Sequence, residues 1–177
     1  MAKKIRRIVT GHNAQGKSVF VTDGASPFEF NVGKGSVTVT ELWETRATPA
    51  ENFGSAEVMD HPFKIYPPKN GSVFRIIEYP PDAARVAGYD REAAFRVMGA
   101  PEALDRASPR HPGFHKTNTI DYVVVLEGEI WALMDEGELL MKAGDVLIQR
   151  GTNHAWSNRT DKPAYVMFVL IDAHPAP

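Results

Sequence analysis

Cysteine is missing from this chain of 177 residues. Its absence excludes disulfide bonds, thiolate metal sites and cysteine nucleophiles together, so any metal ion must be held by nitrogen and oxygen ligands. The absence also fits a reducing compartment, and we expect a cytoplasmic protein.

A strong excess of charge is missing as well. The chain has 20 Lys and Arg against 22 Asp and Glu, a net charge of -2, which predicts no nucleic-acid partner. The longest apolar run, residues 164–171, is too short to span a bilayer. The basic opening MAKKIRR is not followed by the apolar segment of a signal peptide. We therefore expect no membrane partner.

What the sequence does contain is a series of short β-forming runs separated by Gly, Pro, Asn and Asp. Such runs, without helices between them, predict an antiparallel barrel or jelly roll. The candidate strands are residues 5–10, 17–22, 36–43, 72–79, 120–126, 129–134, 138–141, 145–149, 154–158 and 163–171. Residues 44–69 contain four prolines and are expected to form a long loop.

One helix is predicted within this β pattern. Asp90 can cap its start, and Gly99 can end it. Ala94, Phe95 and Met98 form an apolar face at helical spacing.

Two stretches carry candidate chemistry, residues 113–131 and 144–158. On a straight strand His115 and Asp121 would lie ~20 Å apart, at roughly 3.3 Å per residue, and could not share a ligand. A turn at Thr117-Asn118-Thr119 would fold the two side chains back together. In the second stretch His154 and Trp156 stand two residues apart, which places both on one face of a strand.

These stretches resemble the two conserved motifs of the cupin superfamily, in which histidines and a glutamate converge on one metal ion inside a β-barrel. His115 matches the first motif histidine, and Asp121 stands where the glutamate would be. The further matching positions are Gly128, Gly144, Gly151, His154 and Asn158, with His154 at a metal-ligand position.

The resemblance implies an all-β fold, an antiparallel double-stranded β-helix or jelly-roll barrel with an N-terminal β extension and one short helix. We expect a single domain over residues 1–177, with N-terminal strands and an arm in 1–80 and the core motifs in 113–171. The chain is most similar to small single-domain cupins of bacteria and fungi, which commonly form homodimers.

The motif is not complete. Thr117 replaces the second histidine of the first motif, and Asp121 is one methylene shorter than glutamate. The resemblance implies a divalent Fe, Mn or Zn ion on His115, Asp121 and His154, a set that suits such ions. The alternative is a cupin that has lost its metal and keeps the histidines as barrel-lining residues.

The function that the resemblance implies is an enzyme acting on a small organic acid or phenol-like metabolite. Dioxygenase, decarboxylase, dehydratase and isomerase chemistries all occur on this barrel, so the fold does not choose among them. Without a metal, His154 or Asp121 would be the general base, and an apolar barrel would raise the pKa of the carboxyl. The alternative is a ligand-binding or sensing cupin without catalysis.

Several further residues have two interpretations each. Thr117 is expected to be a hydrogen-bonding wall of the site, and Asp121 can instead cap the Asn118 turn. Trp156 either stacks on a substrate or belongs to the core. Arg75 either anchors a substrate carboxylate or pairs with an acid at the barrel rim. His111 either supplies the missing ligand or, as we expect, lies on a surface loop.

Overall fold

A computed structural model describes residues 3–33, 36–54, 57–59, 61–86 and 88–176. Eleven strands and two short helices are assigned within these residues. In chain order they are β1 (Arg6–His12), β2 (Ser18–Ala25), β3 (Glu29–Asn31), β4 (Thr38–Thr45), β5 (Ser72–Tyr79), α1 (Asp82–Arg85), α2 (Arg91–Val97), β6 (Thr119–Glu127), β7 (Glu129–Met134), β8 (Glu138–Lys142), β9 (Val146–Arg150), β10 (His154–Ser157) and β11 (Ala164–Asp172).

The strands form three antiparallel sheets. A six-stranded sheet has the order β3-β4-β5-β11-β6-β9, and a three-stranded sheet has the order β10-β7-β8. The hairpin of β1 and β2 is a separate two-stranded sheet and makes the predicted N-terminal extension. The predominantly β, antiparallel fold predicted from the sequence is confirmed.

The two larger sheets face each other across one apolar core. Val123 and Val125 of β6 and Val166 of β11 are almost fully buried, and they pack with Ile130 of β7 and Trp156 of β10. The inward residues alternate along β6 and β11 with outward ones, as expected for strands with one face on a core.

The reversal from β6 into β7 depends on a glycine. Gly128 has φ of 77°, and a Cβ there would lie 3.1 Å from the Pro163 carbonyl oxygen. A side chain at this position would meet both a left-handed backbone and a backbone clash. The turn from β6 into β7 therefore favours glycine at this position.

The predicted helix is confirmed as α2. Asp90 caps it by accepting a hydrogen bond from the Ala93 amide, and Gly99 follows it with φ of 68°. Ala94, Phe95 and Met98 pack in a second apolar cluster, which is separate from the core between the two larger sheets.

The expectation of a single helix is wrong, because the one-turn helix α1 precedes α2. It follows Pro81, whose missing N–H and fixed φ suit the start of a helix. Four residues are too few for a helical period to be recognised in sequence. Of the residues 44–69 predicted to form a loop, Glu44 and Thr45 belong to β4, and the described part of 46–69 forms no strand or helix. Among the described residues, no helix has the length and apolar character needed to cross a membrane.

Candidate active site

A cavity of about 90 Å³ lies between the two larger sheets. Strands β4, β5, β6, β10 and β11 all contribute residues to its wall. A volume of that size holds several waters or one small ligand. His115, Thr117, Asp121, His154 and Trp156 all line it.

The two histidines are neighbours in main chain and side chain. His115 and His154 exchange two backbone hydrogen bonds of 2.9 Å each, a bridge that places their side chains on the same side. Their ring centroids are 4.3 Å apart. His115 Nδ1 lies 2.8 Å from the Gly113 carbonyl oxygen, and His154 Nδ1 lies 2.9 Å from that of Thr152.

Those carbonyl contacts fix the tautomer of both rings. A carbonyl oxygen only accepts, so each Nδ1 carries the proton and each Nε2 carries a lone pair. Burial lowers the pKa of His115, and burial together with the neighbouring His115 lowers the pKa of His154 to about 3. Both imidazoles are therefore neutral near pH 7.

Asp121 lies on the inner face of β6 and not at the Asn118 turn. It is 4% exposed, and its Oδ1 has no hydrogen-bond partner among the described residues. Burial raises the pKa of Asp121 to about 6, against a hydrogen bond from Thr119 and the charge of Arg75. The raised pKa of the carboxyl agrees with the expectation from an apolar barrel.

The chain crosses from one sheet to the other between His115 and Asp121. His115 pairs with β10 of the three-stranded sheet, whereas β6 belongs to the six-stranded sheet. Residues 116–118 make this crossing. This crossing, with a bend at Asn118 in place of the turn expected at Thr117-Asn118-Thr119, lets His115, Asp121 and His154 line one cavity.

The same three residues were expected to hold a metal ion. The two Nε2 lone pairs suit one, since metal-binding histidines usually donate Nδ1–H to a second group. However, the described part of the chain contains no group of three His, Asp or Glu side chains placed to hold a metal. The three-residue set does not fit an ion in this arrangement, and metal binding stays a prediction.

Thr117 and Trp156 form parts of the wall. Thr117 Oγ1 lies 2.8 Å from Thr119 Oγ1, which agrees with a hydrogen-bonding wall residue. The Trp156 ring meets the rings of His154 and Phe168 edge-on, with centroids 5.8 and 5.5 Å away. It is 5% exposed and belongs to the main core, and it still lines the cavity.

Arg75 forms a buried ion pair. Its Nη2 lies 3.0 Å from Glu41 Oε1, and the two side chains are 3% and 2% exposed. Burial raises the pKa of Glu41, and Arg75 opposes that rise. Arg75 lines the histidine cavity and also a second cavity of about 470 Å³ that contains no histidine of the motif. The pairing expected for Arg75 is present, but it is in the interior and not at a rim.

The expectation that His111 lies on a surface loop is wrong. His111 is 7% exposed, and its Nε2 lies 3.3 Å from Arg85 Nη2 and 3.5 Å from Asp82 Oδ2. The acid and the arginine of α1 fold over the loop and bury it. His111 does not line the cavity and is therefore not a substitute ligand. Arg85, which the sequence analysis did not single out, does line the cavity.

The comparisons with known proteins agree with this architecture. The family model of the cupin domain, Cupin_2, matches residues 104–170. The chain is 30% identical to the cupin-domain-containing oxidoreductase virC of Hypocrea virens, over 96% of this chain and 76% of that protein. It is 31% identical to the phomopsin biosynthesis cluster protein C' of Diaporthe leptostromiformis, over 96% of this chain and 79% of that protein.

Among solved structures, a Cupin 2 conserved barrel domain protein from Salinispora arenicola is 14% identical. It covers 81% of this chain and 82% of its own length, with a TM-score of 0.45. The 30% identity to virC over 96% of this chain and the motif positions of His115, Asp121 and His154 lead to one assignment. The chain belongs to the cupin superfamily.

Proposed function

We propose that this cupin is an enzyme that transfers a proton on a small organic acid or phenol-like metabolite bound in the histidine cavity. One observation carries the proposal: two neutral imidazoles and a buried carboxyl with an unpaired oxygen share a single cavity. Relatives that are named oxidoreductases or biosynthesis cluster proteins support a role in small-molecule metabolism.

Asp121 is the proposed general base. A carboxyl with a pKa of about 6 is largely ionised at pH 7 and still basic enough to accept a proton from a carbon or hydroxyl beside a carbonyl group. Its buried Oδ1, which has no partner among the described residues, is available to that proton.

The two histidines are proposed to orient the substrate. With the proton on Nδ1, each Nε2 accepts a hydrogen bond from a substrate hydroxyl and cannot donate to a developing oxyanion. The negative charge that proton removal creates must be met by a cation, and Arg75, which also lowers the pKa of Asp121, is placed for that role.

Hydrogen–deuterium exchange tests this proposal. The wild-type protein is incubated in D₂O with a set of small 2-oxo acids, 3-oxo acids and phenols, and loss of the carbon-bound proton signal is followed by NMR. We expect exchange with at least one compound and its loss in Asp121→Asn. Binding without exchange for every compound would instead favour a ligand-binding cupin.

A metal-dependent reaction is the second candidate, favoured by the two Nε2 lone pairs. Because His115, Asp121 and His154 are not placed as a metal site in this arrangement, binding would require their side chains to move together, and the ion would then supply Lewis-acid chemistry. Metal content of protein purified without a chelating tag tests it, with His115→Ala and His154→Ala as variants. Stoichiometric metal that both variants lose would replace the metal-free proposal, and no metal after reconstitution would leave proton transfer by the side chains.

A further inference from the structure

A second guanidinium lies in the wall of the histidine cavity. Arg85, the last residue of α1, is 5% exposed and lines the cavity. Its Nη2 donates to Asp82 Oδ1 at 2.7 Å and to the Trp156 carbonyl oxygen at 3.0 Å. Its Nε–H has no hydrogen-bond partner within the part of the chain that the structure describes.

Both carboxylate oxygens of Asp82, the acid beside Arg85, accept hydrogen bonds. Asp82 Oδ1 receives Arg85, and Oδ2 receives the Ser157 hydroxyl at 2.5 Å and lies 3.5 Å from His111 Nε2. Burial alone would raise the pKa of Asp82, but hydrogen bonds from His111, Ser157 and Arg85 lower it to about 2. The carboxylate thus stays ionised and holds the guanidinium in place.

Arg75 also has a buried Nε–H without a partner among the residues described, but it is in a different position with respect to the reacting groups. Its Nη2 lies 3.0 Å from Glu41 Oε1, and its charge acts on the Asp121 carboxyl. Under the proposed function Arg75 meets the oxygen at the reacting carbon, so it is not available to a second carboxylate. Arg85, whose partner Asp82 has both oxygens occupied, is then the anchor for an anionic ligand.

A buried N–H without a partner is destabilising, and native proteins keep such groups mainly where a ligand or water completes them. Arginine is also the side chain best suited to bind carboxylates. We propose that Arg85 binds the carboxylate of a small carboxylic-acid substrate, while Arg75 faces the oxygen at the reacting carbon beside Asp121. This inference rests on the proposed function and narrows its substrates to acids.

The assignment divides the cavity into two ends. The binding end holds Arg85, and the reacting end holds Asp121 with Arg75, whose charge acts on the Asp121 carboxyl. Tyr79 lies between them on β5, under the Arg85 guanidinium at 5.9 Å from its ring centroid and within the field of both arginines and Asp121. A neutral phenol would leave the Arg85 end without its partner.

Binding of matched acids and amides tests the inference. Pyruvate, malonate and succinate are compared with pyruvamide, malonamide and succinamide by calorimetry, for wild type, Arg85→Met, Arg85→Lys and the control Arg106→Met. Arg106 is exposed and pairs with Glu92 outside the cavity. We expect wild type and the control to bind at least one acid ten times or more tightly than its amide, and Arg85→Met to lose that preference.

Arg85→Lys keeps the charge and the ion pair with Asp82, so it serves if Arg85→Met does not fold. We expect it to bind the acid at least three times more weakly than wild type, because the Nε–H is gone. Equal binding of acids and amides by wild type, or an unchanged preference in a folded Arg85 variant, would overturn the inference. Exchange and binding separate the two proposals: binding that depends on Arg85 without any deuterium exchange would refute the proposed enzyme and leave the carboxylate site standing.

Discussion

Replacing Asp121 by Asn removes the titrating carboxyl from the cavity. We expect the metal-free Asp121→Asn protein to be more stable than wild type at pH 8 and nearly equal to it at pH 4. Burial raises the pKa of Asp121 from 3.8 to about 6. Between these values the folded protein keeps a proton that the unfolded chain has released, so the wild type loses stability as the pH rises through the window.

The size of the effect follows from the same two values. They differ by about two pKa units, and each unit corresponds to about 1.4 kcal/mol. At 4% exposure the carboxyl is little screened by solvent, so we expect a difference of about 3 kcal/mol in the free energy of unfolding at pH 8. Asparagine keeps the shape of the side chain and carries no charge to bury.

The comparison must be made between the two proteins at each pH. His115 and His154 act in the opposite direction, since burial lowers the pKa of each and their contribution to stability is lost on acidification. The wild-type profile therefore mixes opposing effects, which cancel when the variant is subtracted.

Urea unfolding of EDTA-treated protein, followed by tryptophan fluorescence from pH 4 to pH 8, measures the difference. Asp161→Asn is the control, because it makes the same chemical change at an exposed residue. A difference between Asp121→Asn and wild type that stays constant across this range would refute the raised pKa. So would a less stable variant at pH 8.

Three further changes test other parts of the structure. When the pH falls from 8 to 5, the free energy of unfolding of His154→Gln should decrease by about 2 kcal/mol less than that of wild type. The reason is that the histidine of the unfolded chain binds a proton below pH 6.5, whereas the buried histidine of the folded protein stays neutral. Denaturant unfolding at both pH values checks this. Asn158→Ala should lower the free energy of unfolding by about 3 kcal/mol at pH 7, because it unpairs the buried Tyr79 carbonyl oxygen and a second carbonyl, each 2.8 Å from the amide nitrogen; a loss below about 1 kcal/mol would contradict this role. The predicted homodimer should form through β9, an edge strand whose Val146 and Ile148 are 64% and 53% exposed. Light scattering should give a dimer for wild type and a monomer for the double variant in which both residues are changed to Lys. A monomeric wild type would refute the prediction.

The strands were predictable because they carry their own signals. Residues 72–79 and 129–134 were predicted with the bounds that β5 and β7 have in the structure, since Gly, Pro or Asn stands next to each. Near the expected turn the structure has a bend at Asn118, where small polar residues precede the apolar run of β6. The helix α1 gave no such signal, being a single turn that packing holds in place.

The cavity was predictable only where the motif reached it. The motif identified His115, Asp121 and His154, which lie close in sequence to recognisable turns. Arg85 is held in place by hydrogen bonds to Asp82, 3 residues away, and to the main chain of Trp156, 71 residues away. Nothing local in the sequence marks a residue whose position depends on so distant a carbonyl group, and the burial of His111 has the same origin.

The two departures from the cupin motif are connected by a chain of hydroxyl groups. Thr117, at the position of the missing histidine, contacts Thr119, whose hydroxyl bonds to the shortened carboxyl of Asp121. That hydrogen bond lowers the pKa of Asp121 against the effect of burial, so it keeps the carboxyl ionised near neutral pH. We therefore expect Thr119→Val to move the pKa of Asp121 upward, which extends to higher pH the window over which Asp121→Asn gains stability and enlarges the difference between the two proteins at pH 8. Unfolding of Thr119→Val with and without the Asp121 change measures that difference, and an unchanged value at pH 8 would show that burial alone sets the pKa.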